Sequence, residues 1–169
     1  MITLRKECAG DLDAITQVIQ RAFGRPEEAR LVNALRGNGA AVVSLVAVEE
    51  GVCVGHVLFS PVVLEAETGR MEGAGLAPLA VLPSRQRQGI GQALVRAGLE
   101  TCRELGYGYV IVLGHPEYYP RFGFVPAARF GIQCEYDAPE EAFMAMELHP
   151  GVLDGHSGLV RYRPEFAQL

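Results

Sequence analysis

Between Leu79 and Leu94 the chain reads LAVLPSRQRQGIGQAL: an apolar run, a proline, a polar and basic stretch, two glycines one residue apart, then apolar residues at helical spacing. A strand that ends at Val81 and a helix that starts near Gly89 leave several backbone N–H groups without intrahelical partners. Those groups and the positive end of the helix dipole suit an anion. Glycines at 89 and 91 remove Cβ atoms from the path of a phosphate, and Arg85 and Arg87 can add charge-assisted bonds. The chemistry suggested is phosphate or pyrophosphate binding. The P-loop form is excluded because no Gly-Lys-Ser/Thr follows, and the dinucleotide form lacks its third glycine and the acidic residue beyond it. The same glycines also fit a helix that needs small residues to pack on a sheet.

The rest of the chain limits the other chemistries. Cys8, Cys53, Cys102 and Cys134 are far apart and form no CxxC pair, which argues against a metal centre and a disulfide framework. A net charge of −5 disfavours a nucleic-acid binder. No stretch approaches the length of a membrane span, and MITLRKECAGDLD has no signal-peptide core, so a cytoplasmic protein without a membrane partner is expected. With 169 residues, 49% hydrophobic and 21% charged, the chain fits one soluble domain over residues 1–169.

Certain elements must position these groups. The pattern predicts a strand at Ile2 to Lys6, a helix from Asp11 to Phe23 and a second helix from Glu27 to Leu35. Two β-rich runs, Val42 to Val48 and Val52 to Leu64, flank a turn at Glu50-Gly51, and a polar loop leads to a third run, Gly75 to Val81. Gly89 to Leu105 carries Ile90, Leu94, Ala97, Cys102 and Leu105 on one face. Tyr109 to Leu113, YVIVL, reads as a strand buried on both faces. One helical turn opened by Pro116 is expected up to Arg121, and closing strands at Ala142 to Leu148 and Leu159 to Tyr162. The sum is an α/β layer with one strand–helix–strand crossover.

The full string from Leu79 resembles the coenzyme-A-binding motif of the GNAT superfamily of N-acetyltransferases, Q/R-x-x-G-x-G/A, present as Gln86-Arg87-Gln88-Gly89-Ile90-Gly91. A second stretch, EYYPRFGFVPA from Glu117, is similar to that family's distal motif, a tyrosine four residues before a Gly-Phe pair. This YY-x-RFGF form, and VGHVLFSPV at Val54 to Val62, resemble a subgroup of small bacterial acetyltransferases. The resemblance covers nearly the whole chain. It implies a central mixed, mostly antiparallel sheet flanked by helices, with splayed fourth and fifth strands, and acetyl-CoA as co-substrate with no metal.

Residue by residue, the resemblance implies that backbone groups of Leu79, Ala80 and Val81 hold the pantothenate arm. The N–H groups of Gln86, Arg87, Gln88, Gly89, Ile90, Gly91 and Gln92 would hold the pyrophosphate. Tyr119 matches the position that commonly acts as general acid toward the leaving thiolate, and Tyr118 matches a packing position. Many members carry a carboxylate base on the fourth strand, but GLAPLAV has none. Glu72, His56, His115 and solvent all remain open as the base. The implied reaction is direct acetyl transfer to a primary amine of a small molecule or peptide, and homodimers are common in the family. Two alternatives stay open: a non-catalytic CoA-binding or interaction module, and a different acyl donor.

Overall fold

The computed structural model describes residues Met1–Leu169 throughout. The chain divides into two compact units, one of Met1–Ser60, Ala77–Thr101 and Pro164–Leu169, the other of Pro61–Leu76 and Cys102–Arg163.

In the first unit, β1 (Ile2–Lys6) pairs antiparallel with β2 (Val43–Glu49), and β2 with the start of β3 (Val52–Ala66). The β2–β3 turn falls at Glu50-Gly51 as expected. Both residues have positive φ, 50° and 78°, the twist that a two-residue hairpin favours. α1 (Leu12–Phe23) buries Ile15, Val18 and Ile19, and α2 (Glu27–Gly37) buries Ala29, Leu31, Val32 and Leu35. Each of the buried isoleucine, valine and leucine side chains contributes roughly 1.5–3 kcal/mol. α3 (Ile90–Glu104) lies over the Gly55 and Phe59 face of β3, with the Phe59 ring under Gly98. It ends before Leu105, which is exposed rather than part of the apolar face.

Strand alternation puts Ser44, His56 and Leu58 on the opposite face. There His56 is completely buried. Its Nε2 stands 2.8 Å from Ser44 Oγ and 3.6 Å from Glu7 Oε1. Ser44 donates to Glu7, and Arg36 of α2 grips both Glu7 oxygens at 2.7 and 2.9 Å. Since the Ser44 proton goes to the carboxylate, His56 donates Nε2–H to Ser44 and its buried Nδ1 is left without a partner. Burial pushes the His56 pKa down against the pull of Glu7. Burial also opposes the charge on Glu7, but His56, Arg36 and Ser44 outweigh it and hold this carboxyl well below its usual range.

Both native groups therefore resist protonation more than the unfolded chain does. The unfolded His56 takes up a proton below about 6.5 and Glu7 below about 4.5. Stability is complete above the first value and is lost as pH falls. Thermal melts of the wild type are expected to drop from pH 7.5 to 5.5. His56→Gln should start lower and show a shallower drop, and parallel curves would contradict the linkage.

In the second unit, β4 (Gly69–Val81) begins six residues earlier than the Gly75 start expected from sequence. The supposed polar loop shrinks to a turn at Glu67 and Thr68. Arg70 and Glu72 are the exposed positions of an alternating strand, while Gly73 and Ala74 are buried. β5 (Tyr109–Leu113) pairs in parallel with β4 over Ala74–Leu76, and antiparallel with β8 (Phe143–Glu147). β6 (Val125–Pro126) joins β8, while β7 (Ile132–Cys134) pairs in parallel with β9 (Gly158–Arg161), which pairs antiparallel with β3. Mixed but mostly antiparallel sheet pairing with flanking helices is thus the architecture. Tyr109, fully buried, donates to Met71 O at 2.8 Å from a core that includes Leu64, Ile111, Phe143 and Val160.

Candidate active site

The loop from Leu82 to Gly89 is built by the first unit. Leu82 N donates to Val54 O at 2.9 Å, tying the loop to β3, and Pro83 opens a 3-10 turn, Pro83–Arg85. Beyond it, Arg87 (φ 63°) and Gly89 (φ 87°) both take the left-handed region. The left-handed turn at 89 explains the glycine there, and a Cβ built on it meets no atom within 4 Å. Alternating backbone hands of this kind turn successive N–H groups toward one concavity, the geometry of anion nests. Ala93 N donates to Gly89 O at 3.0 Å, closing the first helical bond. Ile90, Gly91 and Gln92 are therefore the first-turn positions, whose N–H groups the helix itself does not use.

The side chains mostly brace the loop. Gln86 Nε2 donates to Val81 O at 3.1 Å and Gln88 Nε2 to Ser84 O at 3.4 Å. Ile90 is buried, its Cγ2 lying 3.2 Å from where a Gly55 Cβ would stand, so it anchors the helix entrance to β3. The two arginines, both expected to be able to add charge-assisted bonds, sit in different settings: Arg85 Nε bonds Glu49 Oε1 at 2.7 Å, whereas Arg87 is exposed. Just upstream, Leu79 and Val81 are half-buried and Ala80 between them is buried, the alternation of a strand.

Tyr119 belongs to the second unit. It opens a 3-10 turn, Tyr119–Phe122. Pro116 opens a turn as expected, closed by the bonds from Tyr118 N and Tyr119 N to His115 O at 3.1 and 3.4 Å, and the 3-10 turn continues from it to Phe122, one residue beyond the expected end. Tyr119 is 8% exposed. It packs edge-on to Tyr118 at 5.1 Å and to Phe124 at 5.7 Å. Burial, with a smaller contribution from Tyr118, pushes its phenol well above the ordinary tyrosine value. The hydroxyl is thus protonated at neutral pH, the state a proton donor requires. Tyr118 is half-buried under the Arg121 guanidinium, 4.5 Å from its ring centre, a packing role as expected.

The base candidates separate. His56 is sealed in the Glu7 cluster. Glu72 lies within β4 rather than before it and faces Tyr107, whose phenol is raised by burial and by that carboxylate. His115 is exposed. All four cysteines are free, and burial pushes the Cys102 thiol up to about 12. A thiol so rarely ionised is a poor nucleophile. No group of three or more His, Cys, Asp or Glu residues stands where it could hold a metal ion. No helix is long and apolar enough to cross a membrane.

Residues 3–127 match the family model described as an acetyltransferase (GNAT) domain. The chain belongs to the GNAT family of acetyltransferases. It is 38% identical over 164 residues to the uncharacterized N-acetyltransferase YhbS of Escherichia coli strain K12, covering 96% of this chain and 97% of that protein. The crystal structure of E. coli YhbS in complex with CoA superposes with a TM-score of 0.93 at 36% identity, over 99% of this chain and 93% of that one. A GNAT family acetyltransferase from Brucella melitensis in complex with acetyl-CoA gives 0.81 at 35% identity, over 98% of each chain. As a GNAT member the protein is an acyltransferase.

Two residues beside these candidate site groups escape a sequence reading. Glu49, the partner of Arg85, lies 36 residues away and carries no motif. Gly114 follows YVIVL and looks like an ordinary strand end, yet it lies against the Tyr119 ring.

Proposed function

We propose that this GNAT domain, acting as a whole over residues 1–169, transfers an acetyl group from acetyl-CoA directly to a primary amine of a small molecule or peptide. The observation that carries the reading is the left-handed Gly89 at the mouth of α3, with the first-turn N–H groups of Ile90, Gly91 and Gln92 beyond it. Relatives with CoA and acetyl-CoA bound support it.

In this reading, backbone groups of Leu79, Ala80 and Val81 hold the pantothenate arm and those of Gln86 to Gln92 hold the pyrophosphate, so the loop contributes geometry more than side-chain chemistry. The neutral amine attacks the thioester carbonyl and the C–S bond breaks. Tyr119 gives its proton to the departing thiolate and recovers one from solvent. The proton lost by the amine goes to solvent or to the exposed His115, since His56 is sealed away and Glu72 is engaged with Tyr107. The raised Cys102 pKa supports direct transfer over an acetyl-enzyme.

Release of CoA thiol should depend on an added amine, screened across polyamines, aminoglycosides, amino acids and peptide N-termini. Intact-mass spectra after mixing with acetyl-CoA alone should show no acetylated cysteine, and chelators should leave the rate unchanged. A burst of acetylated Cys102, or no acetyl-CoA binding by calorimetry, would overturn the reading.

A further inference from the structure

We propose that Gly114 is a positioning residue for the Tyr119 phenol: the bare Cα at 114 is the floor on which the ring lies, and the aim of the hydroxyl depends on there being no side chain beneath it. The inference rests on the assignment of Tyr119 as the acid and deepens it.

A Cβ at Gly114 would stand 2.5 Å from Tyr119 Cε2, 3.1 Å from Cδ2 and 3.5 Å from Cζ. The first distance is far inside the roughly 3.5–4.0 Å at which carbon atoms rest against each other. The backbone does not require this glycine, because Gly114 is not among the residues with positive φ. An alanine could adopt its conformation, so the ring sets the requirement.

Both partners are held by further contacts. Gly114 N donates to Ala142 O at 3.0 Å, which pins the floor to the residue before β8. On its other sides the Tyr119 ring meets Tyr118 at 88° and Phe124 at 79°, with Phe122 tilted at 6.2 Å. The turn is stapled from outside, where Arg121 Nε donates to Tyr118 O at 2.7 Å and the guanidinium stacks on the Tyr118 ring. A methyl group at 114 must therefore push the ring by about 1 Å through its own turn. Displacements of that size can cost ~10²-fold in rate.

The test is a four-member cycle of wild type, Gly114→Ala, Tyr119→Phe and the double variant, with an acceptor amine that gives measurable turnover. Gly114→Ala should lower kcat roughly 10- to 100-fold while its acetyl-CoA Kd stays within about twofold. The double variant should be no slower than Tyr119→Phe alone, because there is no hydroxyl left to misplace. That non-additivity is the readout a merely structural role would not give. Should Gly114→Ala not fold, Phe124→Leu removes one of the edge contacts that hold the same ring and should show the same pattern. Full turnover in the folded seat variant while Tyr119→Phe is slow would overturn the inference and leave the acid assignment standing. A multiplicative double variant would do the same. Equal turnover in Tyr119→Phe and wild type would remove the acid assignment, and the positioning role with it.

Discussion

Tyr119→Phe is expected to lower the chemical step of acetyl transfer by ~10²-fold or more, at the low end of general-acid contributions. The substitution removes one oxygen and keeps the ring, so the edge contacts with Tyr118 and Phe124 persist. Acetyl-CoA affinity should change little. The raised phenol pKa sharpens the expectation: the donor is fully protonated at neutral pH, and no rate-limiting loss of its proton should appear in the pH profile below the ordinary tyrosine range. Tyr118→Phe should do much less, since that ring serves Arg121 and the turn. Single-turnover measurements with a working acceptor establish that chemistry is being observed. Equal rates for Tyr119→Phe and wild type under those conditions would mean that solvent protonates the thiolate.

Gly89→Val is expected to weaken acetyl-CoA binding by at least ~10-fold, about 1.4 kcal/mol. At φ 87° a β-branched residue is strained, so the loop must twist away from the arrangement that turns its N–H groups to one side. Because no atom lies within 4 Å of that Cβ, the core is not crowded and the domain should still fold. Gly91→Val introduces bulk in the first turn of α3 without a positive φ, and loses affinity only if the pyrophosphate itself approaches that position. Calorimetry on variants checked by thermal melting measures both. Unchanged affinity in a folded Gly89→Val protein would remove the phosphate site from this loop.

How much of this was legible beforehand differs by element. The long regular pieces were, because periodicity accumulates over many residues: α1, α3, the β2–β3 hairpin and YVIVL appear within a few residues of expectation. Short elements were not. β6 and β7 have two and three residues, too few to carry a period, and exist because β8 and β9 pair with them. The early start of β4 was hidden by Gly69, Arg70 and Glu72, which read as a loop until the pairing strand made them the exposed side of a strand.

The sequence by itself determined the family, because two ordered motifs and the element order around them resemble it, and it offered the Gly89 loop and Tyr119 as candidate sites; the loop was legible because a glycine where the chain turns left-handed and free N–H groups at a helix mouth are local backbone features. Only the tertiary structure decided which charges and rings are available. It sealed His56 into the Glu7 cluster, tied Arg85 to Glu49, and set Tyr119 on Gly114. Those outcomes depend on contacts between residues remote in sequence, where burial and a neighbouring charge fix what a side chain can do, and no local pattern encodes them.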